Sequence, residues 1–262
     1  MPDIDHDMDM DMDMGTDMDT GTALRTTASP SPTTEKDHGG FPREVSDEPP
    51  PGLVRAQRLA IEVAEYAAAT AQPGQSEREL RDMIDAEVLR RGGAGVWTPT
   101  VVGFGIGTLS CFPTDVPSER VLWNLDLGMV DVHPVTQDGW WGDCTRSLQR
   151  GDNRPQAAAL TAIEDLHAAL LQAARPGMRA CDWFAQFQTL LEPTGLVLLD
   201  RLCNIGHSLT QDSSYDDGYI DAYNETVMQG AWAVEPFIGN HLYGVKREDV
   251  VWFGPTRCTV LR

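Results

Sequence analysis

The stretch MVDVHPVTQDGWWGDCTRSL, Met129 to Leu148, places two aspartates and a histidine among apolar residues. Apolar residues dominate from Met129 to Val135, and such a run predicts a buried strand. Because side chains alternate along a strand, Asp131 and His133 are expected on one face, with the intervening valines near the other. A buried carboxylate is costly unless it meets a cation or a metal, so this strand requires a charged partner.

The second half of the stretch predicts a hairpin. Asp138-Gly139 is typical of a tight turn, after which the chain returns through a Trp-Trp-Gly segment, predicted to pack at the hairpin, to Asp143. Such a hairpin brings Asp131 and Asp143 side by side, and a divalent metal relieves the repulsion between two adjacent carboxylates. In the alternative interpretation Asp143 pairs with Arg146 and Asp131 caps a turn. The hairpin alone leaves both open.

Three later segments place further metal-binding residue types in apolar surroundings. His207 follows a glycine in CNIGHS, Glu235 lies within GAWAVEPF, and Glu248 begins a Val-Val-Trp-Phe strand. Taken singly, such residues are usually a core histidine or a glutamate paired with a base. Together with the two aspartates they make a mostly oxygen site with one imidazole, which suits Mn²⁺, Fe²⁺, Co²⁺ or Zn²⁺. The sequence predicts one or two divalent ions, since two carboxylates can bridge a metal pair.

Helical patterns flank the strand-like segments in two blocks. The first helix is predicted over LVRAQRLAIEVAEYAAAT, from Leu53. Ser76 and Glu79 form a capping box that starts a second helix, running to about Arg91. In the second block Pro155 suits the first turn of a helix over PQAAALTAIEDLHAALLQAA, and DWFAQFQTLL predicts another.

The two blocks repeat one order of elements. A Pro-Gly pair interrupts each pair of helices, at 73–74 and at 176–177, and these breaks lie 103 positions apart. Short strand-like segments follow both. Pro-Gly is common between helices, so the recurrence of that pair alone is weak evidence. The whole order indicates an α+β fold built from a duplicated helix-helix-strands unit.

The N-terminal segment differs in composition from the rest of the 262 residues. Residues 1–50 hold thirteen acids against three bases and include MDMDMDMGTDMDTGT and clustered Pro, Ser and Thr. Such a segment buries too little apolar surface to offset chain entropy, which predicts a disordered acidic tail. Metal capture by the Met-Asp repeat near His6 is disfavoured, because Met is a soft ligand and Asp a hard one. Residues 51–262 are the predicted domain.

Composition excludes several function classes. No run of about 18 apolar residues and no signal-peptide pattern occurs, which predicts a cytoplasmic protein without a membrane span. Five scattered cysteines without a Cys-x-x-Cys pair indicate buried free thiols in a reducing compartment. The net charge of −20 disfavours binding to a phosphate backbone, so nucleic acid is not an expected partner.

Five segments resemble the motifs of one peptidase family. NLDLGMVDV resembles its Gly-Asp-x-x-x-x-Asp segment, and GWWGDCTRSL its Gly-Tyr-x-x-Asp-x-x-Arg-Thr segment. IGHS corresponds to Gly-His-Gly-x-Gly, MQGAWAVEP to Gly-Met-x-x-x-x-Glu-Pro, and KREDVV to Arg-x-Glu-Asp. From about Leu53 to Arg262 the chain therefore resembles the family of methionine aminopeptidase, aminopeptidase P, prolidase and creatinase.

The resemblance implies the pita-bread fold, a duplicated α+β domain with pseudo-two-fold symmetry and a metal site in its strands. It implies as metal ligands Asp131, Asp143, His207, Glu235 and Glu248. It also gives Glu235 the role of general base. The short gap between the two glutamates resembles the aminopeptidase P and prolidase branch, although the chain leaves no room for the extra N-terminal domain of prolidase and creatinase.

The chain departs from the family where substrate binds. Its peptidases use one histidine upstream of the first aspartate and another after the histidine ligand, but GIGTLSCFPTDVPSER and LTQDSSYDD contain neither. Loss of an oxyanion donor typically costs about 10²–10³-fold in rate. His133 is a candidate added ligand or acid/base, with a hydrogen bond to a ligand or an edge position as the alternative. Tyr215 and His241 are candidate substrate-binding residues.

Three functions follow from these observations. The leading hypothesis is a metal-dependent hydrolase that activates water to cleave a C–N bond in a short peptide or small amide. The first alternative is a lyase or another specialised small-molecule metalloenzyme on the same fold. The second is a non-catalytic binding module, which ranks last because all five ligand positions are kept. A homodimer is compatible with these observations.

Overall fold

A computed structural model of the chain describes residues 45–262. The predicted tail over residues 1–50 therefore lies outside the described residues up to position 44, as does the suggested metal capture near His6. Residues 45–50 contact the C-terminal part of the domain. The Asp47 carboxylate accepts hydrogen bonds from the backbone N–H groups of Thr256 (2.8 Å) and Arg257 (3.2 Å), and the Trp252 indole N–H donates to the Ser46 carbonyl (2.9 Å).

Four α-helices form two pairs, as the sequence predicts. Their bounds are α1 (Pro51–Thr70), α2 (Glu77–Arg90), α3 (Arg154–Ala173) and α4 (Ala180–Leu191). α1 and α3 each carry a proline in the first turn, where its missing N–H has no helical partner to lose. Both are 20 residues long, and a Pro-Gly break follows each.

Thirteen strands complete the described chain. In chain order they are β1 (Gly93–Val96), β2 (Val101–Phe104), β3 (Leu127–Val132), β4 (Pro134–Thr136), β5 (Cys144–Gln149), β6 (Val197–Leu198), β7 (Gly206–Leu209), β8 (Ser214–Tyr219), β9 (Gly230–Val234), β10 (Phe237–Gly239), β11 (Gly244–Lys246), β12 (Asp249–Phe253) and β13 (Cys258–Val260). The single strand predicted from Met129 to Val135 is divided into β3 and β4, with His133 between them.

Each helix pair is followed by an antiparallel sheet. β2, β3 and β5 form the first, in the order β2-β3-β5, and the second has the order β13-β12-β9-β7-β8. Two small sheets, β1-β4 and β11-β10-β6, accompany them. The predicted duplicated α+β unit is therefore confirmed in its order of elements.

Two apolar clusters hold the helices to their sheets. α1 and α2 contribute Val63, Leu80 and Ile84 to a cluster with Val130 and Val132 of β3. α3 and α4 contribute residues such as Ile163, Trp183 and Phe187 to a second cluster, together with Trp232 and Val251 of the larger sheet. Because side chains alternate along a strand, Asp131, which lies between Val130 and Val132 of β3, is on the face that turns away from α1 and α2.

The capping box of α2 has a measurable effect on stability. Ser76 Oγ accepts a hydrogen bond from the Glu79 N–H (3.2 Å), and Glu79 Oε2 accepts one from the Ser76 N–H (2.8 Å). We expect Ser76→Ala to lower the free energy of unfolding by about 1 kcal/mol, because it leaves a helical N–H unpaired. Urea unfolding measures this, with the exposed Ser46→Ala as control. Equal midpoints for the two variants would contradict the assignment.

The cysteines and the helices bear on two further expectations. All five cysteines are free, as predicted, but only Cys144 is buried, and Cys203 is exposed. The expectation of buried thiols is therefore wrong for Cys203, which lies in a turn before β7, and the other three cysteines are half-buried. Within residues 45–262, the longest and most apolar helices still fall short of what a bilayer crossing requires.

Candidate metal centre

The first two predicted ligands lie on neighbouring strands of the smaller sheet. Asp131 lies within β3 and Asp143 directly precedes β5, and both side chains are buried. The antiparallel register places Asp131 opposite Thr145, so the two aspartates are close. The Thr145 hydroxyl lies 2.7 Å from both Asp131 Oδ1 and Glu248 Oε2 and donates to one of them at a time.

The alternative pairing of these aspartates does not occur. Arg146 makes its ion pair with Asp249, at 2.8 Å, and Asp143 is not among its partners. Asp131 is in the interior of a strand and caps no turn. The hairpin interpretation therefore holds, and the two carboxylates remain without a neutralising arginine.

The other three predicted ligands come from the larger sheet. His207 lies in β7, Glu235 directly follows β9, and Glu248 directly precedes β12. Since β7, β9 and β12 are adjacent, they bring these side chains together from positions far apart in sequence. His207 Nε2 lies 3.5 Å from Asp143 Oδ2 and 3.6 Å from Glu235 Oε1, so residues of the two sheets meet in one cluster.

The orientation of His207 is set by a hydrogen bond to its own strand. Its Nδ1–H donates to the Ser208 carbonyl at 2.9 Å, which directs Nε2 toward the carboxylates. Gly206 makes room for this arrangement. Its φ is +148°, and an added Cβ would lie 2.1 Å from the Ala233 carbonyl oxygen, so larger residues are excluded there.

Two buried carboxylate oxygens have no partner. Asp143 Oδ1 and Glu248 Oε1 are inaccessible and make no hydrogen bond. A buried unpaired carboxylate is expensive, and a metal ligand is the arrangement that removes the cost. The ligand atoms of two groups lie within 4.8 Å of one another, namely Asp131-His133-Asp143 and Asp143-His207-Glu248. The residues present therefore fit divalent cations.

The electrostatics of the cluster also favour a cation. Burial, with the nearby Asp143 charge, raises the pKa of Glu248 well above its usual range. For Asp131, burial is outweighed by the Lys246 ammonium and by His133, which hold the pKa well below its usual range. The His207 pKa is raised although burial lowers it, because the Asp143 and Glu235 carboxylates favour the protonated ring. Burial and the neighbouring carboxylates thus disfavour the ionised form of Glu248, which further positive charge would restore.

Lys246 is a member of the cluster that sequence reasoning missed. Its buried Nζ lies 2.5 Å from Glu235 Oε2, 3.1 Å from Asp131 Oδ2 and 3.9 Å from Glu248 Oε2. Burial lowers the Lys246 pKa, but the surrounding carboxylates outweigh this and raise it well above the ordinary value. The available signal was its spacing in KREDVV, where Lys246 stands two positions before Glu248, at the arginine of the Arg-x-Glu-Asp motif.

A cavity opens onto the cluster. His133 lines it, with Nε2 3.3 Å from Asp131 Oδ1 and 3.7 Å from Asp143 Oδ1, but its Nδ1 is buried without a partner. Tyr215 also lines the cavity, with its ring 4.3 Å from that of His207. His241 lies exposed in the turn between β10 and β11 and is not among the lining residues.

Other residues line the cavity where the resemblance leads us to expect substrate-binding histidines. Within residues 45–262, the histidines that line it are His133 and His207. The upstream stretch contributes Cys111, whose Sγ lies 3.3 Å from Asp131 Oδ2, and the downstream stretch contributes Tyr215. The wall beside both histidines is Trp97, which stacks on Trp141 at 4.8 Å. Trp141 therefore packs at the hairpin against Trp97, and Trp97 shapes the cavity.

The sequence model of Metallopeptidase family M24 matches residues 52–254, which include every element of this cluster. The chain belongs to this family. The resemblance drawn from the five motifs and the pita-bread fold are both confirmed.

Individual M24 relatives share the fold at low identity. Methionine aminopeptidase A of Synechocystis sp. is 27% identical over 164 residues, 60% of this chain and 63% of that protein. The prolidase of Thermococcus sibiricus superposes with a TM-score of 0.74 at 21% identity, over 84% of this chain and 60% of its own. Dipeptidase PepE of Mycobacterium ulcerans gives 0.74 at 25% identity, over 84% and 59%. The chain thus spans about three fifths of the length of these relatives.

Proposed function

We propose that this M24 protein is a metal-dependent hydrolase that cleaves the C–N bond of a short peptide or small amide. The observation that carries the proposal is the buried cluster of four carboxylates and His207, with unpartnered oxygens on Asp143 and Glu248, at the base of an open cavity. The similar proteins, an aminopeptidase, a prolidase and a dipeptidase, carry the names of enzymes of this reaction class.

The metal and the protein have separate roles in this reaction. A divalent ion bound there supplies a Lewis acid that polarises a carbonyl and lowers the pKa of water. Glu235 would take the proton from water and pass it to the leaving nitrogen. Its side chain is the most exposed of the five ligand positions, at 18%, and it lines the cavity where substrate enters.

The substrate of this protein is expected to differ from those of the relatives. A backbone carbonyl in this cavity meets no histidine other than His133 and His207 among the described lining residues. Donors for the developing oxyanion must then come from His133, or from Tyr215 and Tyr219.

Glu235→Gln tests the hydrolase proposal. We expect the metal-reconstituted variant to lose about 10²–10⁴-fold in turnover of a cleaved peptide or amide, because the amide cannot accept a proton. Hydrolysis is followed by release of free amine from dipeptides and N-acyl amino acids, with and without chelator. The exposed Glu225→Gln is the matched control and should retain full activity. Equal activity in both variants, or activity that a chelator leaves untouched, would reject the proposal.

A lyase is the second candidate, and Lys246 favours it. The ammonium lies 2.5 Å from Glu235 and places a buried proton donor among the groups around the substrate. Elimination requires a proton acceptor and a donor at adjacent atoms, and no water as reactant. The metal-loaded protein would be incubated with substrate in ¹⁸O-labelled water. An unsaturated product that contains no ¹⁸O would select elimination over hydrolysis.

Composition supports a cytoplasmic location for this activity. Five free cysteines persist in the described chain without a disulfide, as in a reducing compartment. The charge of −20 is consistent with a small-molecule or short-peptide substrate and not with nucleic acid.

A further inference from the structure

We propose that His133 is a further metal ligand, which adds a second imidazole to the cluster beside Asp131 and Asp143. The inference rests on the proposed metal-dependent function and extends its ligand set. His133 lies between the two family motifs that contain the aspartates, and neither motif assigns a ligand to it. With His133 on the ion, Tyr215 and Tyr219 are the donors that remain for a substrate oxyanion.

Asp143 lies between two imidazoles. Its Oδ1 is 3.7 Å from His133 Nε2, and its Oδ2 is 3.5 Å from His207 Nε2. Each ring nitrogen also faces a second carboxylate. Asp131 Oδ1 lies 3.3 Å from His133 Nε2. Glu235 Oε1 lies 3.6 Å from His207 Nε2. His133 therefore repeats the arrangement of His207, the histidine that the family motif assigns to the metal.

These separations suit a shared ion better than direct hydrogen bonds. An N–H···O hydrogen bond spans about 2.7–3.2 Å between its heavy atoms, and both His133 contacts are longer. Two ligand atoms that each lie about 2.0–2.2 Å from one ion are roughly 3.3–3.6 Å apart at a tetrahedral angle. The ligand atoms of Asp131, His133 and Asp143 all lie within 4.8 Å of one another. One ion can therefore contact all three.

An ion pair between a protonated His133 and Asp131 is the alternative. Asp131 already has a cationic partner, since its Oδ2 lies 3.1 Å from Lys246 Nζ. At 3.7 Å, an imidazolium would also leave the buried Asp143 Oδ1 without a hydrogen bond. A metal ion bound to His133 and Asp143 gives that oxygen a partner and removes the cost of burying it unpaired.

Trp97 holds the His133 ring in the cluster. Its indole meets the imidazole edge-on, with ring centroids 5.3 Å apart. Its backbone N–H donates to the His133 carbonyl at 3.0 Å, and its indole N–H donates to the Gly142 carbonyl at 2.9 Å. The buried His133 Nδ1 has no partner, whereas the His207 Nδ1–H donates to Ser208. His133 is therefore the less firmly held ligand, and its loss weakens metal binding without abolishing it.

A second imidazole changes which ions the cluster prefers. Carboxylates suit Mn²⁺ and Mg²⁺, whereas imidazole suits Zn²⁺ and other ions later in the first transition row. We therefore expect His133 to raise the preference of the cluster for Zn²⁺ over Mn²⁺.

His133→Phe tests the inference, because it keeps an aromatic ring beside Trp97 and removes both ring nitrogens. The metal-free full-length chain is titrated with Zn²⁺ and with Mn²⁺ in competition with a chromophoric chelator. We expect the affinity for Zn²⁺ to fall at least about 10-fold in the variant, and the affinity for Mn²⁺ to fall less. His241→Phe, which removes an exposed histidine from the turn between β10 and β11, is the control and should bind both ions as wild type does.

Proton NMR of the Co²⁺-loaded chain counts the bound imidazoles. Each ring N–H of a histidine bound to Co²⁺ gives a strongly shifted signal that disappears after exchange into D₂O. We expect two such signals in the wild-type chain and one in His133→Phe.

The outcomes separate this inference from the proposed function. One shifted signal in the wild-type chain, or unchanged Zn²⁺ affinity in a folded His133→Phe, would overturn the assignment of His133 and leave the metal-dependent function intact. Should His133→Phe fail to fold, the number of shifted signals in the wild-type chain decides. No metal bound by the wild-type chain would remove the proposed function and this inference together.

Discussion

Asp143→Asn is expected to abolish metal binding and turnover together. Asp143 belongs to both groups of potential ligands, facing His133 with Oδ1 and His207 with Oδ2. Its loss therefore removes a ligand atom from both groups at once. We expect metal affinity to fall by more than the roughly 10–100-fold typical of losing a group that only supports a ligand.

The stability of the metal-free variant shows whether the effect lies in binding or in folding. Asp143 is 2% exposed and one of its oxygens has no partner, so its charge destabilises the metal-free fold. Asp143→Asn should therefore unfold at the same or a higher urea concentration than wild type without metal. Asp138→Asn, an exposed aspartate on the same hairpin, is the control and should keep both metal and activity. Metal retained by Asp143→Asn would contradict its assignment as a ligand.

Arg146→Met is expected to have the largest effect on stability. The buried guanidinium joins the two sheets, since it pairs with Asp249 at 2.8 Å and donates to the Glu248 carbonyl at 2.6 Å and the Thr145 carbonyl at 3.0 Å. Removing one partner of a buried ion pair leaves the other charge uncompensated and costs about 3–5 kcal/mol. We expect the free energy of unfolding to fall by that amount, measured by urea unfolding.

Two comparisons decide whether the buried ion pair is responsible. Arg78→Met breaks an exposed pair with Glu119 and should change stability by less than about 1 kcal/mol. The double variant Arg146→Met with Asp249→Leu should be less destabilised than Arg146→Met alone, because no buried charge remains unpaired. A single variant within 1 kcal/mol of wild type would show that the pair does not hold the sheets together.

The helices were predictable because their signals are local. The capping box at Ser76 and Glu79 and the proline at position 155 each fix a helix start through contacts within four residues, and the structure confirms both. The break at His133 was not predictable from periodicity, because the apolar pattern continues across it. The hydrogen bond from the Trp97 N–H to the His133 carbonyl, at 3.0 Å, shows that a different strand takes over the pairing there.

The site was predictable in part. Strand alternation places Asp131 and His133 on one face, and in the structure His133 Nε2 lies 3.3 Å from Asp131 Oδ1. The meeting of His207 with Asp143 depends on the order of strands in the larger sheet, which no local pattern encodes, so it rested on family resemblance. Lys246 was missed because lysine is ordinarily exposed, and only its neighbours of opposite charge keep it buried here.

The most direct test of the metal centre is anomalous diffraction from crystals grown with Co²⁺, recorded on both sides of the cobalt edge. The predicted result is an anomalous peak within ligand distance of Asp143, His207 and Glu248, with the Lys246 ammonium still between Asp131 and Glu235. A map with no peak at these three residues, or with cobalt only at surface carboxylates, would contradict the assignment of this cluster as a metal centre.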